Sequence, residues 1–225
     1  MRTIEQIRNH LIENLGYAIR RPGMWIFPPH AIELFLQHIL SDICFIDERE
    51  NDLKVALHAL NKQKKATNRG VFGAFHEGFN DQEIDISRLY HEVTSIYAEL
   101  AWQMGYLTVE RQLSKKEWNS LRAGLRSKYT PHDTYESQIS AQYGEPSLKI
   151  GAVHCYTCEA ENEGWIFFDF WTEHITEQTQ NGVIVNTKYR DDPILRNIRL
   201  PASTFKRGLV FTPYGQQFAA KKKHG

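Results

Sequence analysis

The chain has 225 residues, enough for one large domain or two small ones whose core needs no disulfide or metal staple. Apolar residues make up 41% and charged residues 24%, which excludes disorder as the starting expectation. The 27 Lys and Arg cancel the 27 Asp and Glu, which argues against a nucleic-acid binder that works through an overall basic excess.

The first half reads as helix. Thr3 and Gln6 have the spacing of a capping box, and Ile4, Ile7, Leu11, Leu15 and Ile19 follow on one helical face. Pro22 and Gly23 end that helix inside the heptapeptide "RRPGMWI". There Arg20 and Arg21 suit the negative end of the helix dipole, and Met24, Trp25 and Ile26 form an apolar plug. A second helix after Pro28 and Pro29 carries Ile32, Leu34, Phe35, Ile39, Ile43 and Phe45 nearly all round, which predicts a buried central position. A third segment, Asp52 to about Asn61, has Leu53, Ala56, Leu57 and Leu60 on one face. The stretch "KQKKATNRGVFGAFHEGFND" reads as a long connection packed down by Phe72, Phe75 and Phe79. Asp85 is placed to cap a helix bearing Ile86, Leu89, Tyr90, Val93, Ile96, Tyr97 and Leu100, with Gly105 near its end. Ser114 and Glu117 form another capping box ahead of Trp118, Leu121 and Leu125.

Near residue 130 the pattern changes. "YTPHDTYESQ" reads as an exposed linker and "YGEPS" as a turn. Five strands are expected after it, in "LKIGAVHCYTCEAE", "GWIFFDFWTE", "GVIVNTKY", "ILRNIRLP" and "GLVFTPYG", with "ENEG" as a hairpin turn in which Gly164 supplies a positive φ. The tail "AAKKKHG" has nothing to bury. The expected class is α+β: a helical region over 1–130, then an antiparallel β region over 131–225, either separate or fused into one composite domain.

Catalytic and metal motifs are incomplete. Cys155 and Cys158 have a metal-binding spacing, but on one strand they point to opposite faces, and a structural zinc normally takes four ligands. His76-Glu77 and His91-Glu92 lack the second histidine of a zinc-protease helix, and Gly70, Gly73 and Gly78 lack the Lys-Ser/Thr of a phosphate loop. No Gly-x-Ser-x-Gly elbow occurs. No cofactor or metal is therefore assigned. With no apolar run near the ~18 residues of a membrane span and no signal-peptide pattern, a cytoplasmic protein without membrane contact is expected.

Charge, by contrast, is partitioned. Between Lys149 and Lys188 there is no Lys or Arg, while Glu159, Glu161, Glu163, Asp169, Glu173 and Glu177 fall within. The flanks are basic, with Arg111, Lys115, Lys116, Arg122, Arg126 and Lys128 before and Arg190, Arg196, Arg199, Lys206 and Arg207 after. Glu159, Glu161, Glu163, Asp169, Trp171 and Glu173 thus mark an acidic aromatic hairpin able to steer a basic partner. The competing reading is a solvated hairpin neutralised by its neighbours. Asp169, set among aromatics, reads as a paired structural carboxylate.

"RPGMW" resembles the "RPGMY" signature at the start of the ATPase region of type II topoisomerases. That family requires an Asn on the next helix and a later Asp-x-Gly-x-Gly, and neither occurs here. The same motif, with "YGEPSLKIG…GWIFFDFW", is similar to small bacterial proteins, some of which resemble immunity proteins of polymorphic toxin and contact-dependent inhibition systems. That resemblance implies a non-enzymatic binding protein that neutralises a basic toxin by steric occlusion. The alternative is a nucleic-acid-acting or phage-defence protein that uses the basic flanks.

Overall fold

The computed structural model describes residues 2–22, 29–63, 70–78, 89–159, 163–171, 173–179, 182–188 and 191–220. Helices come first in the chain: α1 (Ile4–Arg20), α2 (Pro29–Ile46), α3 (Glu50–Gln63), α4 (Gly70–Gly78), α5 (Tyr90–Gln103), α6 (Lys115–Arg122), α7 (Leu125–Tyr129) and α8 (Glu136–Tyr143). The strands β1 (Leu148–Ile150), β2 (Val153–Tyr156), β3 (Ile166–Phe170), β4 (Glu173–Thr179), β5 (Gly182–Lys188) and β6 (Leu195–Arg199) follow. The short turn α9 (Phe205–Gly208), β7 (Leu209–Phe211) and α10 (Pro213–Ala220) complete the order. The class is α+β, as the sequence predicts.

Both expected capping boxes form. Thr3 Oγ1 accepts the Gln6 amide at 3.2 Å while Gln6 Oε1 accepts the Thr3 amide at 3.0 Å. Ser114 and Glu117 do the same ahead of α6. The end of α1 is tied down by Arg20, which donates to the Thr108 carbonyl at 2.8 Å and pairs with Glu110. Pro22 is buried just past that end. The plug Met24–Trp25–Ile26, Phe79, the Asp85 cap and the last five residues lie outside the described residues.

Five expectations are corrected. The segment read as a long connection contains α4, whose first amides are satisfied from a distance. Glu33 of α2 accepts the Val71 amide at 2.9 Å and the Phe72 amide at 3.3 Å. The linker near residue 130 continues into α8, and Pro213 opens α10 where only strand and tail were expected. "LKIGAVHCYT" is a hairpin rather than one strand: Ile150 pairs with Val153 across a two-residue turn led by Gly151 at φ 56°. "GWIFFDFWTE" likewise divides between β3 and β4, and β4 leaves the main sheet to pair with β5 as a separate ribbon.

The main sheet has the order β1-β2-β3-β6-β7, with every neighbour antiparallel. Alternation along its strands divides two cores. One face buries Leu148, Ile150, Val153, Cys155, Phe167 and Leu209 against α1, α2, α4 and α5. The other buries Tyr156, Ile166, Phe168, Phe170, Ile198 and Val210 against Trp118, Leu121, Leu125, Tyr129 and Ile139 of α6, α7 and α8. The sheet is therefore the middle of three layers, and each core draws on residues from both sides of position 130.

Candidate functional site

On its sheet-facing side α5 carries polar groups. Glu92, Ser95 and Glu99, at spacings of three and four, form a polar stripe on one face of this largely buried helix. Glu92 and Ser95 are buried and Glu99 is half-buried. Opposite them stand three residues of β6. Arg196 Nε donates to Asp169 Oδ2 at 3.0 Å, and Arg196 Nη2 bonds both Asp169 and Glu92. Asn197 Nδ2 donates to the same Asp169 oxygen at 2.5 Å, and Arg199 Nη2 to Ser95 Oγ at 3.2 Å.

A β-bulge makes this layer possible. In the β3–β6 register Asp169 faces Asn197 while Phe170 faces Leu195, so Arg196 is the extra residue on its strand. The inserted residue re-aims a side chain that strict alternation would send to the other face. Both Arg196 and Asn197 consequently reach Asp169. The buried charges are not equivalent. Glu92 is pushed up to about 8, first by burial and then by Asp169, against the pull of Arg196. Burial lowers Arg199 to about 10, opposed by Glu99 and the other acids of the layer.

At the far end of β2 the chain is fixed differently. Leu113 donates its amide to the Thr157 carbonyl at 2.8 Å and accepts the Glu159 amide at 3.1 Å. Ser147 Oγ accepts the Thr157 amide at 3.0 Å. Glu163 then meets α6: Lys115 lies 2.5 Å from Oε1, while Arg122 and the Trp118 indole N–H (3.2 Å) bond Oε2. The bond from Lys115, then that from Trp118, holds the Glu163 carboxyl below its usual range. Gly164 takes φ 70°, the positive value anticipated for this turn.

The expected site residues do not share one surface. Glu159 is exposed, Glu163 is half-buried in its clamp, and Asp169 is buried on the bundle side of the sheet. Trp171 is half-buried beside Tyr214, with ring centroids 6.0 Å apart, and the Arg196 guanidinium lies 5.9 Å above its ring. Glu173 opens β4 opposite Lys188, and Glu161 lies outside the described residues. Asp169 is the paired carboxylate that its aromatic setting suggests. Its partners, and the whole stripe of Glu92, Ser95 and Glu99, were missed. The stripe has a sequence signal, since three polar residues interrupt the apolar face at helical spacing. The bulge at Arg196 has none.

Cys155 and Cys158 are both buried thiols, one in the core facing the helical bundle and the other in the opposite core. Their side chains diverge, as positions i and i+3 on a strand should. Burial raises the Cys155 thiol well above its ordinary range. No group of three or more His, Cys, Asp or Glu able to hold a metal ion occurs among the described residues. No helix among them is long and apolar enough to cross a membrane. Comparison with known proteins yields no matching family profile, no matching curated protein and no matching solved structure.

Proposed function

We propose that the chain is a non-enzymatic binding protein whose working surface is the connection between β2 and β3. The observation that carries this reading is the clamp on Glu163. Three donors from α6 hold one end of the connection, and backbone bonds to Leu113 hold the other. Anchoring both ends of a connection limits the conformations open to it and so lowers the entropy cost of binding. The clamp also uses the charge of Glu163 internally, which leaves Glu159 exposed, with Glu161 two residues further along the chain.

The partner that suits this surface is a basic protein. A toxin neutralised by occlusion is the member of that class implied by the resemblance to immunity proteins. The test is affinity for a basic toxin-like protein, where one is encoded beside this chain's gene, measured with the wild type and with Glu159→Lys plus Glu161→Lys. A loss of about tenfold or more, about 1.4 kcal/mol, is expected. Unchanged affinity rejects the surface.

A second reading is favoured by one contact. Arg126 of α7 donates to the Arg207 carbonyl at 2.8 Å, which brings exposed Arg126 and Arg207 together, with Lys206 adjacent in the chain. Such a cluster suits a phosphate backbone. Arg196 and Arg199 do not contribute to it, because both are buried. This reading requires nucleic-acid binding that weakens steeply with salt, and absence of a mobility shift at low salt removes it.

A further inference from the structure

Among the described elements, β4 and β5 pair with each other and with no other strand. The ribbon they form is seven residues long on each side, from Glu173 opposite Lys188 to Thr179 opposite Gly182. A two-stranded ribbon is marginal in water by itself, and further strands or a packed layer normally stabilise one.

The two edges of the ribbon differ. β4 reads "EHITEQT", with Glu173 and Glu177 at positions of the same face. Charges of this kind protect an edge from pairing with another chain. β5 reads "GVIVNTK", with no charge and no proline before Lys188. Val183, Ile184 and Val185 form an unbroken β-branched run within it, the composition that favours a strand. The edge suited to receive a further strand is therefore that of β5.

β5 is complementary to itself. About a two-fold axis through Val185, perpendicular to the ribbon, Val185 falls opposite its own copy and Val183 opposite Thr187. Ile184 falls opposite Asn186, and Lys188 opposite Gly182 instead of a second lysine. Whichever alternate residues of β5 turn their backbone groups outward, this register sets them against one another, so an antiparallel ladder can form. It also brings Val183 and Val185 of both copies together on one face, where apolar pairs stabilise a sheet. β4 paired with itself would instead gather Glu173 and Glu177 of both copies on one face, and like charges there are destabilising. The 27 basic and 27 acidic residues cancel, so no net charge holds two copies apart.

We propose that the β5 edge pairs with the β5 edge of a second copy of this chain, so that two ribbons join into one four-stranded antiparallel sheet with Val185 at the two-fold axis. The contact is separate from the connection between β2 and β3, and it stands whether or not that connection binds a toxin.

The test begins with sedimentation velocity of the full chain from about 1 to 100 μM, which should show a monomer–dimer equilibrium. Val185→Lys sets two cations at the axis and should weaken the dimer about tenfold or more, while the neutral, β-branched Val185→Thr should keep it. Under mild oxidation Val185→Cys should yield a disulfide-linked dimer, because opposite residues of an antiparallel pair have Cα atoms about 4.5–5.5 Å apart, within disulfide reach. Thr176→Cys should not, because Thr176 pairs with Val185 from β4, on the far side of the ribbon. Cys44, Cys155 and Cys158 are buried and do not compete. The proposal is overturned if the wild type stays monomeric across that range, which would leave the edge to a strand of another protein. It is equally overturned if Val185→Lys dimerises as tightly as the wild type, or if Thr176→Cys cross-links as readily as Val185→Cys.

Discussion

The carboxylate of Glu33 occupies the space that a side chain at Gly70 would need. A Cβ there would fall 2.5 Å from Glu33 Oε2, and Gly70 has φ 69°. Glu33 can therefore approach α4 closely enough to accept two of its first amides, and it also accepts the Tyr97 hydroxyl at 3.0 Å. Gly70→Ala should destabilise by about 1–3 kcal/mol from backbone strain alone. Glu33→Ala leaves three donors without an acceptor, each costing roughly 1–3 kcal/mol if it stays dry. Glu33→Gln should cost less, because one carbonyl oxygen remains. Urea denaturation of the three variants gives the order, and a Gly70→Ala protein as stable as wild type would contradict the close approach.

Arg196 is the cation shared by Asp169 and Glu92 in the buried layer. Arg196→Met removes it and leaves two acids facing one another away from water. Breaking such a buried pair from one side costs about 3–5 kcal/mol, on the order of 10 °C in Tm for a chain of this size. Calorimetry measures this directly, and a shift of only a degree or two would mean that water reaches the layer.

The two buried groups Glu92 and His154 give opposite pH dependences. Glu92 is raised from 4.5 to about 8, so the folded state holds a proton that the unfolded state releases. Its contribution to stability is present below pH 4.5 and is lost as pH rises towards 8. Burial lowers His154 from 6.5 to about 4, so its contribution is present above 6.5 and is lost as pH falls towards 4. Glu92→Gln should therefore flatten the decline of Tm on the alkaline side and leave the acid side unchanged. A Glu92→Gln profile parallel to wild type above pH 6 would show that Glu92 does not titrate in this range.

Glu163 ties the residues just before β3 to α6 and supports little else. Glu163→Gln should accelerate amide hydrogen exchange over residues 157–159 and 163–165 while shifting Tm only slightly, since the clamp sits near the surface. If the connection is the working surface, partner affinity falls several-fold in the same variant even though Glu159 and Glu161 are untouched. Exchange that remains slow would mean that the bonds from Leu113 suffice without the clamp.

Local signals were read well and distant ones were not. The capping boxes at Thr3 and Ser114 close within three residues, so adjacent side chains announce them. The cap of α4 comes from Glu33, which is 38 residues from Val71, and no window of sequence contains both. Gly151 was a visible turn signal. It was overlooked because apolar residues continue on either side of it. Among the expected site residues, Asp169 could be identified as a paired acid from its aromatic neighbours, but its partner could not. A bulge changes the face of Arg196, and alternation is the rule by which faces are assigned from sequence. The charge partition was legible as composition. Its dispersal into a clamp, a buried layer and an exposed loop depends on tertiary contacts.

The Arg196 and Arg199 contacts span long stretches of chain. Glu92 and Ser95 of α5 meet Arg196 and Arg199 across 104 residues. During synthesis the helical half emerges first, with the polar stripe of α5 still in water and Phe75 and Trp102 still awaiting Phe205 and Trp165. The bundle cannot close its sheet-facing side until β6 has left the ribosome. Closure of this layer is thus deferred until β6 has been made, and chains cut short before residue 196 leave part of the bundle's sheet-facing side uncovered, where chaperones and proteases can recognise it.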